Sequence, residues 1–80
     1  MTPDQVKTLI VTGLPDAQVS VTGSEGHFEA RVISEAFAGQ SRIKRHQMVN
    51  ATVMNEITSG ALHALSIRTF TPEEADTNAS

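Results

Sequence analysis

Histidine is the residue type through which this chain could bind a metal ion. The 80 residues include three histidines and no cysteine, so the chain can form neither a disulfide nor a metal site ligated by its own thiolates. His27 and His63 each stand at the start of a predicted strand. If these strands are parallel neighbours, they start at the same end of the sheet about 4.8 Å apart, and both imidazoles could bind one metal ion. Two histidines are weak evidence by themselves, and structural roles for both stay open.

The alternation of polar and apolar residues bears on this pairing. It places His27 on the polar side of one strand and His63 on the apolar side of the other, although a loop can redirect a side chain at a strand end. The apolar neighbours of His63 in "LHAL" predict limited contact with water. His46 falls on the apolar face of a predicted helix, which indicates a partly buried, hydrogen-bonded side chain.

A cluster of basic residues is the second feature that could have a function. The stretch "SRIKRHQMV" contains Arg42, Lys44 and Arg45, three of the six basic residues of a chain whose formal charge is -3. These side chains could contact nucleic-acid phosphates, dock an acidic partner, or form the solvated face of an ordinary helix. The negative net charge argues against strong sequence-independent binding of nucleic acid.

The elements that must position these residues can be predicted from periodicity and turn residues. The opening sequence "TPDQ" predicts a capped helix that ends at Gly13. Residues 17–23 and 27–34 alternate around a Gly-rich turn, which predicts a β-hairpin, and residues 61–70 predict a third strand. A right-handed crossover through helices would make the second and third strands parallel neighbours.

The segment between those two strands predicts a helical turn and then one long helix. Ser41 is the expected N-cap of the long helix, which runs to about Ile57. After the third strand, "TP" at 71–72 starts a short helix whose residues 75–80 are expected to fray. The long helix has one predicted face toward the sheet, formed by Ile43, His46, Asn50, Val53, Met54 and Ile57.

These elements predict a single domain over residues 1–80 with an α+β, two-layer sandwich fold. The sheet is three-stranded and mixed, with helices on one face in the order α-β-β-α-α-β-α. No motif for nucleophilic, phosphate-binding or metalloprotease chemistry is present, which predicts a protein that is not an enzyme. The absence of an apolar run of about 18 residues and of a secretory signal predicts a cytoplasmic protein that does not bind membranes.

Four stretches, taken in order, resemble one known family. They are "HF" at 27–28, "FAGQSRIKRHQMV" at 37–49, "HALSI" at 63–67 and "TPEE" at 71–74. Together they resemble the BolA family, closest to its IbaG-type branch, over about residues 9–74. The resemblance implies a fold similar to class II KH domains, with a helix-turn-helix-like segment.

The resemblance also implies a function and a ligand set. Relatives of this kind act with monothiol glutaredoxins, which carry glutathione, in iron–sulfur cluster handling. His63 corresponds to the family's histidine ligand of a shared 2Fe-2S cluster, and no cofactor is expected on the chain alone. The second ligand in the family is a His or Cys in the loop between the first two strands. Here that loop, "TGSEG", is shorter than in some relatives, and His27 at its end is the nearest candidate.

The alternative function is a KH-like, DNA-binding transcriptional regulator that uses the basic helix 41–57. A KH domain clamps the nucleic-acid backbone with a GxxG loop, whereas the matching loop here reads "GQSR" at 39–42 and lacks the second glycine. Only weak binding to DNA is therefore expected. A homodimer is a further arrangement that the sequence leaves open.

Overall fold

A computed structural model describes residues 1–78 of the chain. Helix α1 spans Pro3–Gly13 and begins with the predicted capping box. The backbone N–H of Gln5 donates to Thr2 Oγ1 over 3.2 Å, and the backbone N–H of Thr2 donates to Gln5 Oε1 over 2.8 Å. Two of the N–H groups that a helix leaves unpaired at its start are satisfied in this way.

The three strands form the predicted mixed sheet. Strands β1 (Gln18–Ser24) and β2 (His27–Ile33) pair antiparallel, while β2 and β3 (Ala64–Phe70) pair parallel, giving the spatial order β1-β2-β3. Alternate residues of β2 are buried, whereas the opposite face of the sheet is largely exposed. The α+β architecture predicted from the alternation is therefore confirmed.

The helical segment between β2 and β3 departs from the sequence-based prediction. After a 3₁₀ turn at Glu35–Phe37, the expected single helix is divided into α2 (Arg42–Thr52) and α3 (Met54–Ser59). Val53 lies at the break, with φ -121° and ψ 14°. The predicted packing face is wrong at three positions, because Ile43, Met54 and Ile57 have 73%, 50% and 38% of their surface exposed.

One hydrophobic core lies between the helices and the sheet. Its α2 contribution comes from Val49, together with Val53 at the break. Helix α4 spans Pro72–Asn78, so it continues beyond residue 75, where fraying is predicted to start. Its Ala75 is buried. Residues 79 and 80 of the predicted tail lie outside the described residues. No helix within residues 1–78 is long and apolar enough to cross a membrane. The core consists of Val6, Ile10, Val19, Phe28, Ala30, Val32, Phe37, Val49, Val53 and Leu62.

Candidate functional site

The parallel pairing of β2 and β3 brings His27 and His63 together at one end of the sheet. His27 is the first residue of β2 and lies opposite Ala64, the first residue of β3, so His63 directly precedes its strand. The two ring centroids are 6.0 Å apart, and the ring planes are inclined by 32°. The opposite parities predicted from the alternation do not separate the rings, because His63 lies just outside the strand.

Gly26 fixes the position of His63. Its carbonyl oxygen accepts hydrogen bonds from the backbone N–H groups of His63, over 2.9 Å, and Ala64, over 3.0 Å. Its φ of +82° lies in the left-handed region, which strongly favours glycine. A Cβ on this residue would lie 3.1 Å from Cγ of His63 and closer still to Cδ2, so the imidazole occupies the space that a side chain would fill.

The geometry of the histidine pair fits two ligands of one metal ion. Two imidazoles on a tetrahedral ion, with metal–nitrogen bonds of about 2.0–2.1 Å, hold their ring centroids about 5 Å apart, so the rings need to approach by only about 1 Å. Both side chains are exposed, so the shielding predicted for His63 is wrong. Residues 1–78 contain no group of three or more His, Asp or Glu side chains that could hold a metal ion. A second molecule would have to supply the remaining ligands.

Arg45, predicted as a docking residue, is engaged inside the molecule. Its Nη1 and Nη2 donate to the two carboxylate oxygens of Glu74 over 2.6 and 3.3 Å, and its Nε donates to the carbonyl oxygen of Gln40 over 3.0 Å. The guanidinium also lies 6.0 Å from the centroid of the Phe37 ring. Only 14% of the Arg45 side chain is exposed. Arg45 therefore connects α2 to α4.

Glu74 has a second role at the start of α4. Its carboxylate accepts a hydrogen bond from the backbone N–H of Thr71, and its own backbone N–H donates to Thr71 Oγ1. The hydrogen bond from Arg45, followed by the one from the Thr71 backbone, lowers the pKa of Glu74 from its ordinary value of 4.5. The carboxylate therefore stays ionised in mildly acidic solution, which preserves the ion pair with Arg45.

Arg42 and Lys44, the other two predicted docking residues, are exposed at the start of α2. Arg42 lines a groove of about 600 Å³ between α2 and β3, together with His46 and Arg68. His46 is half-buried, as predicted, but its side chain makes no hydrogen bond within the described residues, contrary to the sequence-based interpretation. Arg68 is not among the site residues predicted from the sequence, although the predicted crossover places its strand at the edge of the sheet.

Comparisons with known proteins agree with this fold. A family model described as BolA-like protein matches residues 11–74. The chain is 32% identical over 74 residues to the acid stress protein IbaG of Escherichia coli (strain K12), covering 92% of this chain and 88% of that protein. It is 46% identical over 52 residues to the DNA-binding transcriptional regulator BolA of Vibrio cholerae, covering 65% of this chain and 48% of that protein. The solved structure of a bolA protein homologue from Coxiella burnetii has a TM-score of 0.84 at 36% identity, over 95% of this chain and 97% of the other.

Proposed function

Because this chain belongs to the BolA-like protein family, we propose that it is a non-enzymatic adaptor that binds a monothiol glutaredoxin and co-ligates a bridging 2Fe-2S cluster. Its role would lie in iron–sulfur cluster assembly or trafficking in the cytoplasm. The observation that carries this proposal is the pair of exposed imidazoles, His27 and His63, with ring centroids 6.0 Å apart. The family resemblance supplies the identity of the partner.

The ligand chemistry of the two proteins would be complementary. This chain has no thiol and offers two imidazole nitrogens, whereas the glutaredoxin would offer its own thiolate and that of glutathione. Histidine in place of cysteine raises the reduction potential of a 2Fe-2S cluster. Protons also compete with the metal for imidazole, so a mixed cluster is more labile in acid than one ligated by thiolates alone.

His63 is the better anchored of the two proposed ligands. Its backbone N–H is bonded to the carbonyl oxygen of Gly26, and its ring lies against that residue, which restricts where the imidazole can point. His27 sits one residue after Gly26, at the first position of β2. Both rings are exposed at the same end of the sheet, so a partner can approach them without any rearrangement of the core.

The test is to assemble the cluster-bridged complex with a monothiol glutaredoxin and glutathione and to record its visible circular dichroism. His63→Ala should leave the fold intact and change the spectrum and lifetime of the cluster, and His27→Ala should do so more weakly. His46→Ala is the matched control, because this histidine lies in the groove beside α2. An unchanged spectrum and lifetime for His63→Ala would remove that residue from the ligand set.

Binding to DNA is the second candidate function, and the exposure of Arg42 and Lys44 favours it. The Vibrio cholerae relative is named a DNA-binding transcriptional regulator. Against this function stand the pairing of Arg45 with Glu74 and the lack of a second glycine in the loop at 39–42. We expect weak, salt-sensitive duplex binding that Arg42→Ala with Lys44→Ala abolishes. Tight, sequence-selective binding at 200 mM salt would instead make this the leading function.

A further inference from the structure

The outer edge of β3 is an unpaired backbone edge. In the parallel ladder, Ala64 N–H donates to the carbonyl oxygen of Gly26, and Phe70 C=O accepts from the N–H of Ser34, so even-numbered residues of β3 direct their backbone groups toward β2. The odd-numbered residues Leu65, Ile67 and Thr69 therefore direct their N–H and C=O groups away from the sheet. Within residues 1–78, no other strand pairs with this edge.

A positively charged groove runs along that edge. Its volume of about 600 Å³ falls within the range of about 300–1,000 Å³ that is usual for ligand sites. Arg42 from α2 and Arg68 from β3 both line it, and both side chains are exposed. Glu74 is the one acidic residue among its described lining residues, and its carboxylate is already bonded to Arg45. Arg68 Nε lies 3.6 Å from Glu29 Oε1, but both side chains are largely exposed, so this ion pair is weak and leaves Arg68 accessible. The groove therefore combines unpaired backbone groups with arginine side chains.

We propose that this groove binds an extended acidic segment of a partner protein, which adds to β3 as a fourth strand. Strand addition uses main-chain hydrogen bonds for affinity and alternate side chains for specificity. The outward N–H and C=O groups of β3 match another polypeptide backbone, and carboxylates on alternate residues of the segment match Arg42 and Arg68. The other edge of the sheet differs, because β1 contains no charged residue.

A polypeptide fits this surface better than a single-stranded nucleic acid. Binding of single strands relies on exposed aromatic rings on which bases stack. This chain has no Trp or Tyr, and the Phe70 ring at the end of the groove is already covered by the Arg31 guanidinium, 4.8 Å from its centroid. The other aromatic ring in the described lining is the imidazole of His46, which is half-buried on α2, so the groove lacks a row of exposed rings for successive bases. The unpaired strand edge, by contrast, offers hydrogen-bonding groups that match a peptide backbone.

The groove is separate from the histidine pair. His63 precedes the first residue of β3, whereas the groove is lined by Ile67 to Phe70, about 13–23 Å further along the strand. A partner at the histidine pair and a peptide at the groove could therefore be bound together, which would make this chain a bridge between two proteins. Peptide binding at the groove does not depend on a metal at the histidine pair. Each of the two proposals can therefore be refuted without affecting the other.

The test uses the full chain without metal and a ten-residue peptide of alternating glutamate and valine. Binding is followed by amide chemical shifts and by hydrogen exchange. We expect slowed exchange at the amides of Leu65, Ile67 and Thr69, and no binding of a peptide with lysine in place of glutamate. A glutamate peptide with proline at alternate positions should also fail, because proline has no N–H to donate to the strand edge.

Charge variants of the protein test the two arginines. Arg42→Glu combined with Arg68→Gln should weaken binding of the glutamate peptide by about tenfold or more, because one exposed positive charge is reversed and the other is removed. Lys7→Glu, an exposed change on α1, is the control and should change affinity by less than about twofold. Equal binding of the lysine peptide, or unchanged exchange at the three amides, would overturn the proposal. Tighter binding of a ten-nucleotide oligothymidine at the same amides would overturn it as well.

Discussion

Gly26→Ala should strain the backbone and displace His63 at the same time. An alanine held at a φ of +82° costs about 1–2 kcal/mol through backbone crowding alone. The new Cβ would also overlap the imidazole of His63, which must move by about 1 Å to reach an ordinary carbon–carbon distance of about 3.5 Å. Forcing the ring of His63 off its preferred rotamer adds about 0.5–1.5 kcal/mol. The expected loss in the free energy of unfolding is therefore about 1.5–3.5 kcal/mol.

Gly60→Ala is a matched control for the backbone part of this loss. Gly60 has a φ of +83°, nearly that of Gly26, but a Cβ there would meet no atom within 4 Å. The Gly60→Ala variant should therefore lose only the backbone contribution, about 1–2 kcal/mol of the free energy of unfolding, as measured by urea unfolding followed by circular dichroism. In the double variant Gly26→Ala with His63→Ala, the overlap is relieved and the loss should approach that of Gly60→Ala.

A second measurement follows the geometry of the site itself. Proton NMR should show a nuclear Overhauser effect between the rings of His27 and His63 in the wild type and in Gly60→Ala, but a weakened one in Gly26→Ala. If Gly26→Ala and Gly60→Ala lose the same stability and keep the same ring contact, then Gly26 does not position His63 and the reasoning is refuted.

Three further changes test the fold. Val53→Ala should lower the free energy of unfolding by about 2 kcal/mol, because Val53 is fully buried. Ile57→Ala should lower it by less than about 1 kcal/mol, because Ile57 is partly exposed. Equal losses for the two variants would contradict the helix break at Val53. Thr2→Ala should cost about 1 kcal/mol in urea unfolding through loss of the cap on α1, and no loss would contradict that cap. Arg45 lowers the pKa of Glu74, so their pair stabilises the fold fully above pH 4.5 and loses this contribution as the pH falls through the lowered pKa. Glu74→Gln should therefore destabilise the chain at pH 7 and destabilise it progressively less as the pH falls below 4.5; an effect that does not change with pH would exclude the pair.

Much of the fold could be predicted because local chemistry and tertiary structure agree. The "TPDQ" sequence caps α1, alternation identifies the strands, and Ser41 caps α2 as expected. The order of these elements then leaves few topologies, since a strand that follows a helical crossover tends to pair in parallel with its predecessor. The parallel register of β2 and β3 places His27 and His63 at the same end of the sheet, as the sequence analysis anticipated.

The rest depends on contacts that no local pattern encodes. A helical wheel assumes a continuous helix, and the break at Val53 changes the direction of the residues that follow, which leaves Ile57 partly exposed. The role of Arg45 is set by Glu74, which lies far away in the sequence. The exposure of His63 likewise follows from the position of its ring over Gly26, whereas its neighbours in the sequence suggest a shielded side chain.

The parallel pairing of β2 with β3 also determines at which stage of folding His27 and His63 are brought together. Strands β1 and β2 are joined by a tight turn and can pair locally, whereas β3 pairs only after the chain between residues 33 and 64 closes a long loop. Such non-local pairing is slow, because the entropy of loop closure is lost before contacts compensate for it. A chain still emerging from the ribosome therefore has His27 but no second imidazole beside it until β3 is complete. Any ligand held by both imidazoles binds only the folded chain, so its concentration shifts the folding equilibrium as well as its own occupancy.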